Sequence, residues 1–257
     1  MTDRPWLSSY PQGVPADIDP SQYASLVGLM EESFSKYADR TAYSFMGKDV
    51  SYAETDKLSK AFAAYLQGLG LAKGDRVAAM MPNCPQYPIA VAAILRAGLI
   101  LVNVNPLYTP RELEHQLKDS GAKAIVIMEN FGVTLQQCIA ATPIKHIVLA
   151  SMGDRLGFLK GALVNYVVRN VKKLVPAFNL PGAVRFNDAL DQGAGRTLQA
   201  PAIGASSTGT RTPKRAQKSC DRRRAAEAIR RSAERHAAAA AAAHGTHHSA
   251  HAAHHAL

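Results

Sequence analysis

Cysteine is scarce, with only Cys84, Cys138 and Cys220 in 257 residues. They are odd in number, far apart and lack any Cys-x-x-Cys pair, which excludes a disulfide scaffold or a cysteine-based zinc site and suits a reducing compartment. No run of about 18 uninterrupted apolar residues exists, so no transmembrane helix is expected. The first twenty residues hold Pro5, Pro11, Pro15 and Pro20 and no apolar stretch, so no secretory signal is expected. Residues 201–257 lack aromatics, Val and Met altogether. Such a segment cannot bury enough surface to build a core.

The rest of the chain has the means to fold. Hydrophobic residues make up 47% and charged residues 19%, which excludes a wholly disordered chain. The net charge of +10 is unevenly placed. Residues 1–200 carry 20 Lys and Arg against 17 Asp and Glu, whereas residues 201–257 carry 10 against 3. A nearly balanced body is thus joined to a basic, Ala-, Arg- and His-rich, low-complexity tail. The expected division is 1–203 for the body and 204–257 for a disordered or loosely helical tail.

Within the body, Leu26, Leu29, Met30 and Phe34 recur at helical spacing. Two aromatic-rich runs around Gly47 predict a hairpin over 41–52. Ser51 and Glu54 have capping-box spacing before a helix whose apolar face is Leu58, Phe62, Tyr65, Leu66 and Leu69. From residue 76 to 150, short continuous apolar runs (77–81, 99–104, 124–128, 146–149) alternate with helical patterns, one of them led by Thr109 and Pro110. That alternation predicts an α/β fold with a mostly parallel sheet covered by helices.

Residues 153–186 break the rhythm. From Phe158 to Phe178, large apolar and basic residues alternate. On a helical wheel Asn165, Arg169, Lys172 and Lys173 take one side. Leu159, Leu163, Tyr166, Val167, Val171, Leu174 and Phe178 take the other. A basic amphipathic helix fits a membrane interface, and it equally fits a surface helix packed on its own domain.

Several runs carry a family resemblance: Val102-Asn-Val-Asn-Pro-Leu-Tyr-Thr-Pro-Arg-Glu-Leu113 followed by Ser120-Gly-Ala-Lys-Ala124, and Gly74-Asp-Arg-Val77 followed by Met81-Pro-Asn83. With the 52–69 helix, the lead-in Pro5-Trp6 to Tyr10-Pro11, and 181–188, they resemble bacterial long-chain fatty acid–CoA ligases, which are acyl-adenylate-forming, AMP-binding enzymes. The resemblance covers residues 1 to about 203. It implies that this chain is the incomplete N-terminal portion of the large domain of such an enzyme, with 153–186 as a basic amphipathic insertion.

For the intact family the resemblance implies ATP, Mg²⁺ and coenzyme A, with a long-chain fatty acid as substrate. The carboxylate attacks ATP to give acyl-AMP and pyrophosphate, and the CoA thiol then displaces AMP. Backbone N–H groups and Mg²⁺ would neutralise the developing phosphate charge. The resemblance also implies a cytoplasmic enzyme that meets the inner membrane peripherally, with Leu159, Leu163, Tyr166, Val167, Arg169, Val171, Lys172, Lys173, Leu174 and Phe178 as the contact residues.

A Ser/Thr/Gly-rich phosphate loop belongs shortly after residue 203 in this family. Here the chain reads Ser206-Ser-Thr-Gly-Thr-Arg-Thr-Pro-Lys-Arg215. Ser207, Thr208, Gly209, Thr210 and Lys214 echo the loop and are the candidate phosphate contacts. Arg211 stands where two small residues are needed, Arg215 replaces a Gly, and the preceding strand is missing. Short motifs of this kind match often by chance. The nucleotide-binding segments, the catalytic Glu and the small domain with its catalytic Lys have no counterpart, so the chain alone is expected to be inactive. No catalytic residue and no metal site is assigned to it.

The remaining groupings carry less. Six His between 244 and 255 would share a helix face, but no carboxylate or Cys lies nearby to close a metal site. The Arg222–Arg224, Arg230, Arg231 and Arg235 patch lacks interleaved aromatics, so no specific nucleic acid is expected. Abundant Ala and Arg with few large apolar residues is also what a wrong reading frame of a GC-rich gene yields. The rival functional readings are a membrane- or anionic-surface module and a minimal nucleotide-binding protein.

Overall fold

The structure, a computed structural model, describes residues 4–19 and 21–201. The tail expected over 204–257, with Ser207, Thr208, Gly209, Thr210 and Lys214 and the His and Arg groupings, lies outside the described residues.

Helix α1 (Leu26–Lys36) starts where Ser25 accepts a hydrogen bond from the Gly28 amide. An antiparallel hairpin follows, β1 (Thr41–Phe45) and β2 (Lys48–Ser51). Its two linking residues, Met46 and Gly47, have φ of 49° and 72°. Positive φ at both central residues is what a type I′ hairpin turn needs, and its twist matches that of the strands. Ser51 then caps α2 (Tyr52–Gly68) by accepting from the Glu54 amide. The expected reciprocal bond does not form, because the Glu54 carboxylate reaches Arg155 at 3.0 Å instead.

The alternation from 76 onward is present: β3 (Arg76–Met80), α3 (Gln86–Arg96), β4 (Ile100–Asn103), α4 (Pro110–Ser120), β5 (Ala124–Met128), α5 (Gly132–Cys138) and β6 (His146–Ala150). Thr109 and Glu112 complete a full capping box on α4, and Gly121 (φ 64°) ends that helix. After β6 come α6 (Phe158–Tyr166), β7 (Val184–Arg185) and α7 (Phe186–Ala194). The larger sheet is parallel, in the order β4-β3-β5-β6-β7.

Strand residues alternate between two cores, as the pleat dictates. Val77, Ala79, Ala124, Val126, Met128 and Val148 face a core completed by α2, α3 and α7. Ala78, Met80, Ile125, Ile127 and Ile147 face a second core completed by α4 and α5. Coverage on both faces explains why β5 is buried at every position and reads as an unbroken apolar run.

One polar group is deep in the helical layer. Arg96 on α3 is 3% exposed. Its guanidinium binds the Asp56 carboxylate, the Asp56 carbonyl at 3.0 Å and Ser59 Oγ at 2.6 Å, and lies 4.9 Å from the Phe34 ring centroid. Glu31 completes the set at 3.5 Å. One cation thereby joins α1, α2 and α3. Burial alone would raise the Asp56 pKa; bonds and charges from Lys60 and Arg96 outweigh it and hold the carboxyl below its ordinary range.

Candidate functional site

Chain order runs from β3 to β4 on one side and then returns to β5 on the other. In open α/β sheets the crevice beyond the carboxyl ends of the strands, at that reversal, is where ligands bind. Here those ends are the segments after β3, β5 and β6, and they hold a polar cluster.

Glu129 follows the apolar strand β5 and is 6% exposed. Arg169 reaches it with Nε at 3.1 Å and Nη2 at 2.8 Å. The same Nη2 donates to Ser151 Oγ at 2.9 Å. Ser151 lies just past β6; its amide donates to Asp154 Oδ2 at 2.7 Å, and its carbonyl accepts from Gln86 Nε2 at 2.8 Å. Asn187 at the start of α7 donates to the Asp154 carbonyl at 3.2 Å. Burial, reinforced by the nearby Glu129 charge, pushes the Asp154 carboxyl up to about 6, against the opposing pull of the Ser151 amide and of Arg185 and Arg169.

Beside the cluster, Lys48, Glu54, Asp154, Arg155, Asn165 and Asn187 border a polar cleft of about 480 Å³. A separate apolar groove of about 830 Å³, including Phe34, Tyr43, Phe45, Tyr87 and Val91, lies between α1, the hairpin and α3. Neither contains a nucleophile–base pair. Cys84 and Cys138 are buried, and burial pushes both thiols up to about 11. His115 is exposed on α4 and His146 opens β6. Among the described residues no group of three or more His, Cys, Asp or Glu could hold a metal ion. They likewise include no glycine-rich phosphate loop, so the described residues by themselves do not fit ATP and Mg²⁺.

The amphipathic segment departs from expectation. A helix over 158–178 does not form: α6 ends at Tyr166, passes into a π turn over Val167–Val171, and stops at Lys173, whose φ is 51°. Pro176, which has no amide hydrogen to donate, lies just beyond. The apolar side is turned away from the body. Leu159, Leu163 and Tyr166 are 81%, 63% and 59% exposed, and Val171 and Leu174 are exposed as well. Val167 is half-buried, and Lys172 and Lys173 are exposed. Arg169 is turned toward Glu129, with its side chain 33% exposed. Phe178 is half-buried; its ring lies where a side chain on Gly132 would be, against the second core. Among the described residues no helix is long and apolar enough to cross a membrane.

The sequence reading missed Glu129, Ser151, Asp154 and Gln86. A signal existed: isolated polar residues directly after two unbroken apolar strands occupy the carboxyl ends of a parallel sheet.

Comparison with known proteins agrees with this architecture. A family model described as AMP-binding enzyme matches residues 30–183. The long-chain-fatty-acid–CoA ligase of Escherichia coli O157:H7 is 56% identical over 189 residues, covering 73% of this chain and 34% of that protein. The ligase of the same name from Haemophilus influenzae is 51% identical over 199 residues, covering 77% and 35%. The chain therefore spans about a third of the length of these relatives. The solved anthranilate CoA ligase AuaEII in complex with anthranoyl-AMP superposes with a TM-score of 0.57 at 19% identity, over 73% of this chain and 32% of that one. A long-chain-fatty-acid-CoA ligase from Archaeoglobus fulgidus gives 0.55 at 18% identity, over 76% and 36%. These two show the same fold. With the parallel sheet, its doubly covered strands and the family match over more than half its length, the chain belongs to the AMP-binding enzyme family.

Proposed function

We propose that residues 1–203 are the N-terminal part of a long-chain fatty acid–CoA ligase domain and act only within a polypeptide that carries the rest of it. The observation that carries this reading is the 56% identity over 189 residues to a protein named for that activity. In the intact enzyme ATP activates the fatty carboxylate as acyl-AMP, and coenzyme A takes the acyl group. The described residues contribute scaffold to that reaction: the sheet, its two cores and the polar cluster at the carboxyl ends of the strands. The chain of 257 residues forms no acyl-AMP by itself, and Ser207–Lys214 act as no phosphate loop.

The test is a chimera in which residues 1–200 replace the matching segment of the Escherichia coli ligase. Acyl-CoA formation from palmitate, ATP, Mg²⁺ and CoA is expected in the chimera, and no pyrophosphate release from the chain alone. A folded but inactive chimera, or pyrophosphate release by the chain alone, overturns the reading. Translating the gene in all three frames beyond codon 203 adds a check on the tail. A restored Tyr-Thr-Gly-Gly-Thr-Thr-Gly and long open frame identify the tail as a frameshift product.

A narrower second reading concerns α6. Its outward Leu159, Leu163 and Tyr166, with Lys172 and Lys173 nearby, favour peripheral contact with an anionic membrane surface. The comparisons lend no support to membrane binding as the chain's function. Retention on vesicles of phosphatidylglycerol, lost in Leu159→Glu/Leu163→Glu, is the expected result; equal retention of both proteins overturns it.

A further inference from the structure

Helix α6 is inside out. Asn165 and Arg169, one turn apart, point to the body, while Leu159, Leu163 and Tyr166 point away. Apolar burial therefore does little to hold the helix down. Its attachments are polar. Asn165 Oδ1 accepts from the Gly153 amide at 2.8 Å, Arg169 pairs with Glu129 and Ser151, and Lys160 Nζ donates to the Met46 carbonyl. Gly153 and Gly161 meet backbone to backbone; a Cβ on Gly161 would lie 2.4 Å from the Gly153 oxygen.

The two ends differ from the middle. On the entry side, Asp154 is tied to the Ser151 amide and Asn187 to the Asp154 carbonyl. On the exit side, Asn130 Nδ2 donates to the Leu174 carbonyl at 3.0 Å, and Phe178 is seated against Gly132. Between these anchors lie two left-handed residues. Gly157 has φ of 85° and gives α6 no side-chain cap, and Lys173 has φ of 51°. Through Arg169 the segment touches Glu129 and Ser151, and the Ser151 carbonyl in turn holds Gln86; the buried oxygens Gln86 Oε1 and Asn130 Oδ1 have no hydrogen-bond partner. This is the crevice at the chain reversal, where open α/β sheets take ligands.

We propose that residues 158–172 are a hinged cover over the carboxyl ends of β3, β5 and β6, closed by the Arg169–Glu129 pair and pivoting at Gly157 and Lys173. The cover opens without disturbing the sheet, because its attachments are polar and the sheet is held by two apolar cores. The inference stands on this geometry and not on the ligase reading.

Hydrogen exchange followed by mass spectrometry on the complete chain tests it. In the unaltered chain, residues 158–172 should exchange faster than β5 and β6. Arg169→Gln should speed exchange over 158–172 by roughly ten-fold or more, and the charge reversal Glu129→Arg/Arg169→Glu should recover most of the protection. The unaltered chain supplies an independent reading. If 158–172 and β5 exchange with one protection factor and one denaturant dependence, they open as a single unit and the proposal is wrong. It is equally wrong if Arg169→Gln leaves exchange over 158–172 unchanged.

Discussion

Phe62 on α2 and Phe186 on α7 meet with ring centroids 4.9 Å apart and planes inclined at 50°, both with no exposed surface. Residues 124 positions apart thus close one face of the sheet. The approach is close enough that Gly193, on the same helix as Phe186, admits no side chain: a Cβ there would lie 1.9 Å from the Ala61 carbonyl oxygen.

Gly193→Ala should therefore destabilise the chain by roughly 3 kcal/mol, because the obstructing atom is backbone and cannot rotate away. Gly195→Ala, whose added carbon meets nothing within 4 Å, should leave stability within about 0.5 kcal/mol. Urea unfolding of both variants checks this. Equal midpoints would show that the helices slide apart freely.

Arg96→Met should cost roughly 3 kcal/mol, since Asp56 and Ser59 lose the buried cation that satisfies them. Glu31→Gln, at a carboxylate more than half exposed, should cost under about 1 kcal/mol. A similar loss in both variants would move the weight of the network from α2 to α1.

The Asp154 carboxyl titrates near 6 in the folded chain, above its ordinary 3.8. The folded state therefore binds this proton more tightly than the unfolded state does. The group's contribution to stability is fully present below about 3.8, declines as pH rises to about 6, and is gone above it. Asp154→Asn should raise stability at pH 7.5 by about 2 kcal/mol and flatten the pH dependence between 4 and 6. Denaturant midpoints across that range decide it; an unchanged profile would show that Asp154 does not titrate there.

Cys84 and Cys138 should resist iodoacetamide at pH 8 in the native chain and react once it is unfolded, because both thiols are buried and raised to about 11. Peptide mass spectrometry reads the labelling. Native-state modification at either position would show that the surrounding core opens.

Much of this protein is written locally. Thr109, Pro110 and Gly121 bracket α4 because a cap, a fixed φ and a left-handed residue act within a few positions. The 124–128 run announces a strand covered on both faces because every residue in it is apolar. The helical pattern between the 77–81 and 99–104 runs, which becomes α3, is legible for the same reason of period and punctuation.

Other features have no local signature. β7 is two residues long and is a strand only because Val184 and Arg185 pair with Val148 and Leu149. The wheel of α6 correctly separates polar from apolar residues, yet it cannot tell which side meets the body. That was set by Glu129, forty residues away, whose buried carboxylate draws Arg169 inward and leaves the leucines outside. Likewise Arg96 reads as an ordinary charge at a helix end and is almost wholly buried.

The amino-acid sequence by itself determined the element types, their order and the α/β class, because hydrophobic period and capping are short-range properties. Only the tertiary structure decided which charges are buried together, which helix faces are turned out and where the chain reverses across the sheet. Those outcomes depend on pairing between distant segments, where a desolvated charge must find its partner wherever the fold has placed it.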